Sequence, residues 1–81
     1  MARRTYSGLE IAKVLVDWGF EPTGGRGSHR TFRYEHPETD EVRTVTVPLH
    51  DELNEGTLRE IADEAGAKDF DAFCDEIENW L

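Results

Sequence analysis

Residues 24–36 read GGRGSHRTFRYEH, a run of three glycines, Ser28, two histidines and three arginines. These residue types suit chemistry on a phosphodiester. Gly24, Gly25 and Gly27 let backbone N–H groups approach an anion closely. Arg26, Arg30 and Arg33 carry forked donors that match phosphate oxygens. His29 has a side chain that can take up or release a proton near neutral pH. Such a set can cleave RNA without a metal. The ribose 2′-OH attacks the adjacent phosphorus, the histidine handles a proton, and arginine offsets charge on the phosphoryl oxygens. Spacing alone leaves a second possibility open, that Gly24 to Gly27 is simply a β-turn. The run lacks the G-x-x-x-x-G-K-[ST] pattern and does not open a helix.

The other chemistry-bearing residues point elsewhere. His36 sits beside Pro37 in a polar turn and is expected to be inert. His50 follows VTVPL and reads as structural, holding a strand end to the next loop. His29, His36, His50 and Cys74 match no metal-ligand spacing, so no metal or other cofactor is expected. Cys74 falls on an apolar stripe and is expected in the core.

The elements that must position His29 follow from periodicity. SGLEIAKVLVDWGF predicts a helix. Ser7 and Glu10 stand at capping-box spacing, Leu9 to Trp18 supply a wide apolar face, and Gly19 is placed to end the helix. FEPT reads as a short strand weakened by Pro22. SHRTFRY alternates, with Phe32 and Tyr34 on one side and His29, Thr31 and Arg33 on the other. That phase sends Phe32 inward, so it leaves no aromatic on the open face to stack a base. VRTVTVP alternates after a proline turn, with Val45 and Val47 together, and the two runs predict an antiparallel hairpin. NEGTLREIADEAG predicts a helix capped by Asn54 and stopped by Gly66. KDFDAFCDEIENWL places Phe70, Phe73, Cys74, Ile77 and Trp80 on one stripe of a last short helix, all expected in the core. The order α-β-β-β-α-α predicts an α+β domain in which helices cover one face of a three-stranded antiparallel sheet. The other face, carrying His29 and Arg33, is then open.

Length and charge bound the rest. The 81 residues make a single domain over 1–81, with 37% hydrophobic residues for one core. A chain this short buries only about 60% of the surface its unfolded form exposes, so chemistry belongs on a surface or in a shallow cleft. No apolar run nears the roughly 20 residues of a membrane span. The start, MARRTYSGLE, lacks the apolar segment of a signal peptide. A lone cysteine forms no internal disulfide, which fits a reducing cytoplasm. Net charge is -9, and it is uneven. Residues 1–50 hold seven Lys/Arg and seven Asp/Glu, whereas residues 51–81 hold two and eleven. The acidic half admits three readings: a solvated surface, adaptation to high intracellular salt, or a docking face for a basic partner. Arg3 and Arg4 would add to the basic set near His29.

Several segments occur together in one order: SGLEIAKVLVDWGF, GRGSHRTFRY with its G-S-H core, RTVTVPLHDELNEGTLREIADEAG with its V-P-x-H and G-T-L-x-x-I elements, and a trailing FDAF. Over about Ser7 to Phe73 the chain resembles the HicA (YcfA-like) family of toxin ribonucleases from type II toxin–antitoxin systems. The resemblance implies a fold like a double-stranded-RNA-binding domain and an mRNA interferase activity that stops translation under stress. It makes His29 the catalytic acid/base, with Gly27 and Ser28 shaping the approach to it. It also implies a cognate HicB-type antitoxin that covers the site. This chain is more acidic than the family's neutral-to-basic norm. The competing expectation on the same fold is a non-catalytic RNA-binding or partner-binding module whose acidic second half is the interface.

Overall fold

The capping box at the start of the chain forms as its spacing predicts. In the computed structural model, which describes residues 5–81, helix α1 spans Gly8–Asp17. The Glu10 N–H donates to Ser7 Oγ at 3.0 Å, and the Ser7 N–H donates to Glu10 Oε1 at 2.9 Å. Two of the free donors at the helix start are thereby satisfied. The helix ends where Gly19 adopts φ +101°, a conformation that costs other residues steric strain. Ile11, Val14 and Leu15 are buried. Leu9 and Val16, counted from sequence with the apolar face, are 69% and 48% exposed. At 3.6 residues per turn these two share the flank opposite Ile11 and Trp18, so they face water.

The sheet has the order β1-β2-β3, with β1 at Glu21–Arg26, β2 at His29–Glu35 and β3 at Val42–Pro48, all antiparallel. One expectation is corrected here. The glycines do not form a loop after a short FEPT strand. Strand β1 runs through Gly24 and Gly25 to Arg26, with an irregularity between Pro22 and Gly24, and only Gly27 and Ser28 turn. A side chain at Gly25 would collide with the His29 carbonyl oxygen, so the missing Cβ permits strand pairing there. Gly27 at φ +63°, followed by Ser28 at negative φ, has the sign pattern of a type II′ hairpin turn.

Register sets the two faces. Phe32 pairs with Val45 and Arg30 with Val47, while His29 pairs with Pro48 and Thr31 with Thr46. Phe32, Val45 and Val47 are buried under the helices, as the alternation predicts. Helix α2, Glu55–Glu64, is capped by Asn54, whose Oδ1 accepts the Thr57 N–H at 2.7 Å. It buries Leu58, Ile61 and Ala62. It also lies along β3, where Glu64 Oε1 accepts the outward Thr46 N–H at 3.2 Å. That contact covers part of the β3 edge, which would otherwise offer unpaired backbone groups to another strand.

Helix α3, Phe70–Trp80, starts at the Asp69 cap and buries Phe73, Cys74 and Ile77. Trp80 does not join them. It lies about 20° around the axis from Phe73 at 3.6 residues per turn, on the same stripe, but it is the last residue of the helix and is 46% exposed. Phe70 is half-buried, with the Arg59 guanidinium 4.2 Å above its ring. Tyr6, which no periodicity marks, is fully buried. Its hydroxyl lies 3.0 Å from a Glu78 carboxylate oxygen and 3.3 Å from the Cys74 carbonyl oxygen. Its backbone bridges Leu53, so the segment before α1 ties the β3–α2 connection to α3. The buried side chains form one cluster, in which each Val, Leu, Ile or Phe stabilises the fold by about 1.5–3 kcal/mol through burial. The architecture is the expected α-β-β-β-α-α arrangement with helices flanking a three-stranded antiparallel sheet, as in double-stranded-RNA-binding domains. No helix among the described residues is long and apolar enough to cross a membrane.

Candidate functional site

His29 is the first residue of β2, directly after the Gly27–Ser28 turn. Its cross-strand partners are Arg26 on β1 and Pro48 on β3. Paired residues project to the same face, so the His29 imidazole and the Arg26 side chain share the face away from the core. His29 is exposed, and among the described residues its ring has no hydrogen-bond partner. It forms one end of a shallow cleft of about 270 Å³ lined also by Thr46, Pro48, Thr57, Glu60, Ile61 and Glu64. The cleft lies between the open end of β3 and one face of α2. Two α2 carboxylates, four residues apart, therefore stand on the wall facing the histidine.

The three arginines separate. Arg26 lies opposite His29 and makes no ion pair among the described residues. Arg30 points to the other face with Phe32 and Tyr34, where the hairpin leaves it exposed, and its Nη1 donates to the His29 carbonyl oxygen at 3.4 Å. Arg33 shares the His29 face but sits four residues on, roughly 13 Å along the strand. It is paired with Glu35 at 2.8 Å. Gly24 and Gly25 lie in β1, and Gly27 and Ser28 form the turn. Arg3 and Arg4 lie outside the described residues.

A second imidazole joins the site. The His50 ring centroid is 6.2 Å from that of His29, with the ring planes at 71°. The link is backbone-borne. The Leu49 N–H donates to the Ser28 carbonyl oxygen at 2.6 Å, so the residues just before His29 and just before His50 are bonded to each other. On the other side, the His50 carbonyl oxygen accepts the Gly8 N–H at 2.9 Å. A Cβ at Gly8 would collide with the Pro48 carbonyl oxygen and lie 2.7 Å from Leu49 Cα, so only glycine lets α1 start this close to the strand end.

His50 read from sequence as a tether, and its backbone does tether. The hairpin register carries the signal for its other aspect. Once residue 48 pairs with residue 29, a histidine two positions later falls beside the first. Glu60 and Glu64 were missed as cleft residues, although their i, i+4 spacing puts them on one helix face. His36 behaves as the turn suggests: its Nδ1 accepts the Glu38 N–H at 3.1 Å. Cys74 is buried in the core. Among the described residues, no three His, Cys, Asp or Glu side chains gather as a metal site. A roomier hollow of about 340 Å³, lined by Trp18, Ala65, Ala67 and Phe73 among others, shares no residue with the histidine cleft.

Comparison with curated proteins and with solved structures returns no match. Comparison with family models does: residues 8–67, from the first residue of α1 to just past Gly66, match the model described as HicA toxin of bacterial toxin–antitoxin systems. The matched span holds the whole sheet, the Gly27–Ser28 turn, both paired histidines and the α2 wall of the cleft. With that stretch making up most of its length, the chain belongs to the HicA toxin family, a type II toxin–antitoxin family of mRNA interferases.

Proposed function

We propose that the protein is an endoribonuclease toxin in which His29 transfers a proton during cleavage of mRNA. The single observation that carries this is the His29 imidazole itself. It is exposed, without a hydrogen-bond partner among the described residues, on the uncovered face of the sheet beside an unpaired guanidinium. A ring in that position can reach a ribose–phosphate chain laid across the hairpin. The nucleophile is the substrate's own 2′-OH, so the chemistry needs proton transfer and charge compensation but no metal-bound water. Arg26, opposite His29, is the nearest phosphate clamp, and Arg30 at the same end of the hairpin is the second. Gly27 and Ser28 fix where the ring emerges. Arg33, held by Glu35, contributes at a distance.

The acidic helices shape the encounter. Eleven of the eighteen Asp and Glu residues lie in 51–81, while Arg26 and Arg30, which make no ion pair among the described residues, sit at the β1–β2 hairpin. RNA therefore meets a repulsive field over α2 and α3 and an attractive one at the hairpin. A cognate HicB-type antitoxin would neutralise the toxin by covering the hairpin and the His29 cleft.

The test is labelled RNA with wild type beside His29→Ala, in buffer with a chelator. The wild type should cleave, and the variant should fall by about 10²- to 10⁴-fold, the usual contribution of a positioned acid or base. Expression of the wild type alone should arrest growth. Equal nicking by the two proteins would take His29 out of the chemistry, and RNA left whole by the wild type would leave a non-catalytic RNA-binding or partner-binding module as the function.

A further inference from the structure

We infer that His50 is a second catalytic residue, working with His29 as the other half of an acid–base pair on the same phosphodiester. The inference rests on the nuclease assignment and goes beyond it, because a single proton-transfer group leaves half of the reaction unassisted.

Transesterification moves two protons. The 2′-OH must lose one as its oxygen bonds to phosphorus. The 5′ oxygen must gain one as the P–O5′ bond breaks and its electron pair leaves with the oxygen. One neutral imidazole takes the first proton and one imidazolium gives the second. The products are a 2′,3′-cyclic phosphate and a 5′-hydroxyl end. The two rings finish with exchanged protonation states, which solvent resets.

The two oxygens lie on opposite sides of phosphorus in an in-line displacement, so the two groups must bracket one phosphate. Imidazoles with centroids 6.2 Å apart can do so, each reaching about 2.8 Å to its oxygen. Both rings are exposed, and among the described residues neither has a hydrogen-bond partner. A merely structural histidine would be expected to spend its ring nitrogens on the protein, as His36 spends Nδ1 on the Glu38 N–H. His50 instead spends only its backbone: its carbonyl oxygen holds the α1 start, and the preceding N–H holds Ser28. The ring is left free on a backbone that is bonded beside that of His29. This pre-sets the pair before substrate arrives, which is where positioned groups gain their advantage.

The charged groups around the pair are Arg26 across from His29, Arg30 on the His29 carbonyl, Glu60 and Glu64 on the α2 wall, and Asp51 and Glu52 directly after His50.

The experiment uses the full chain, with wild type, His29→Gln, His50→Gln and the double variant on a short RNA. Single-turnover rates are read from pH 5 to 9, alongside thermal melts. A second substrate carries sulfur in place of the 5′ bridging oxygen, a leaving group that needs no proton. His50→Gln should melt like wild type, lose about 10²-fold or more in rate, and turn a bell-shaped pH profile into a one-sided one. One of the two single variants, and only one, should be rescued by the sulfur substrate, and the double variant should be little worse than the poorer single. The pair is overturned if His50→Gln stays within threefold of wild type, or if it loses rate with the bell intact and neither single variant is rescued. The nuclease assignment fails separately, by His29→Gln cleaving like wild type or by wild type leaving RNA whole.

Discussion

Gly25 offers the sharpest test of how the fold presents His29. Gly25→Ala places a methyl group against the His29 carbonyl oxygen and 3.0 Å from Arg30 Cα, at a backbone φ of +155°. Neither obstacle is a flexible side chain, so the backbone of β1 or of β2 must move by about 1 Å to restore ordinary contact. The φ strain alone costs about 1–3 kcal/mol. A domain of this size is stable by about 4–12 kcal/mol at 0.05–0.15 kcal/mol per residue, so the variant stays folded. A cost near 2 kcal/mol lowers the melting temperature by about 8–16 °C. The larger effect falls on the rate, because a displacement of about 1 Å at a positioned group costs on the order of 10²-fold. Gly24→Ala is the internal control. Its φ is +153°, but nothing lies within 4 Å of a new Cβ, so it carries the strain without the push on His29. The assay pairs thermal melts with single-turnover RNA cleavage. Gly25→Ala should be folded and nearly inactive, and Gly24→Ala folded, somewhat destabilised and active. Equal rates for the two would refute the idea that close approach of β1 sets the position of the imidazole.

Two further outcomes are expected. Arg26→Ala should weaken RNA binding and lower the salt slope of log K by about one phosphate's worth, whereas Arg33→Ala, already paired with Glu35, should change the slope much less; binding titrations between 50 and 300 mM KCl separate them. Thermal melts in rising KCl should show the melting temperature climbing as the excess of carboxylates on 51–81 is screened, and a flat response would count against self-repulsion between α2 and α3.

Local signals in the sequence were strong where a side chain speaks for its own backbone. Ser7 and Glu10, Asn54, Gly19 and Gly66 each mark a helix boundary by a mechanism confined to a few residues, and each does so in the structure. The alternation of SHRTFRY and VRTVTVP carried the two faces of the sheet, and with them the exposure of His29. Glycines 24 and 25 were misread because a residue with no side chain has no period, so a strand through glycine looks like a loop. Leu9 and Val16 were counted as core because hydrophobic type was weighed above angle around the helix axis, whereas Trp80 keeps the angle of the buried stripe and is exposed at the last position of its helix. Tyr6 stands alone, six residues in, and its burial depends on α3 arriving from the far end of the chain. The separation of the arginines followed from the same two-residue period that placed His29, once applied to charge. The approach of His50 required the β2–β3 register, which no single segment contains.

The Gly8 amide proton is a reporter built into the site. It leaves the first turn of α1, crosses to the His50 carbonyl, and is shielded there by the Pro48–Leu49 backbone pressed against it. Any opening that detaches the His50 backbone from the start of α1 must first break this bond. Deuterium uptake at one glycine near the chain's beginning therefore clocks how often the backbone carrying the second imidazole detaches, without RNA and without turnover.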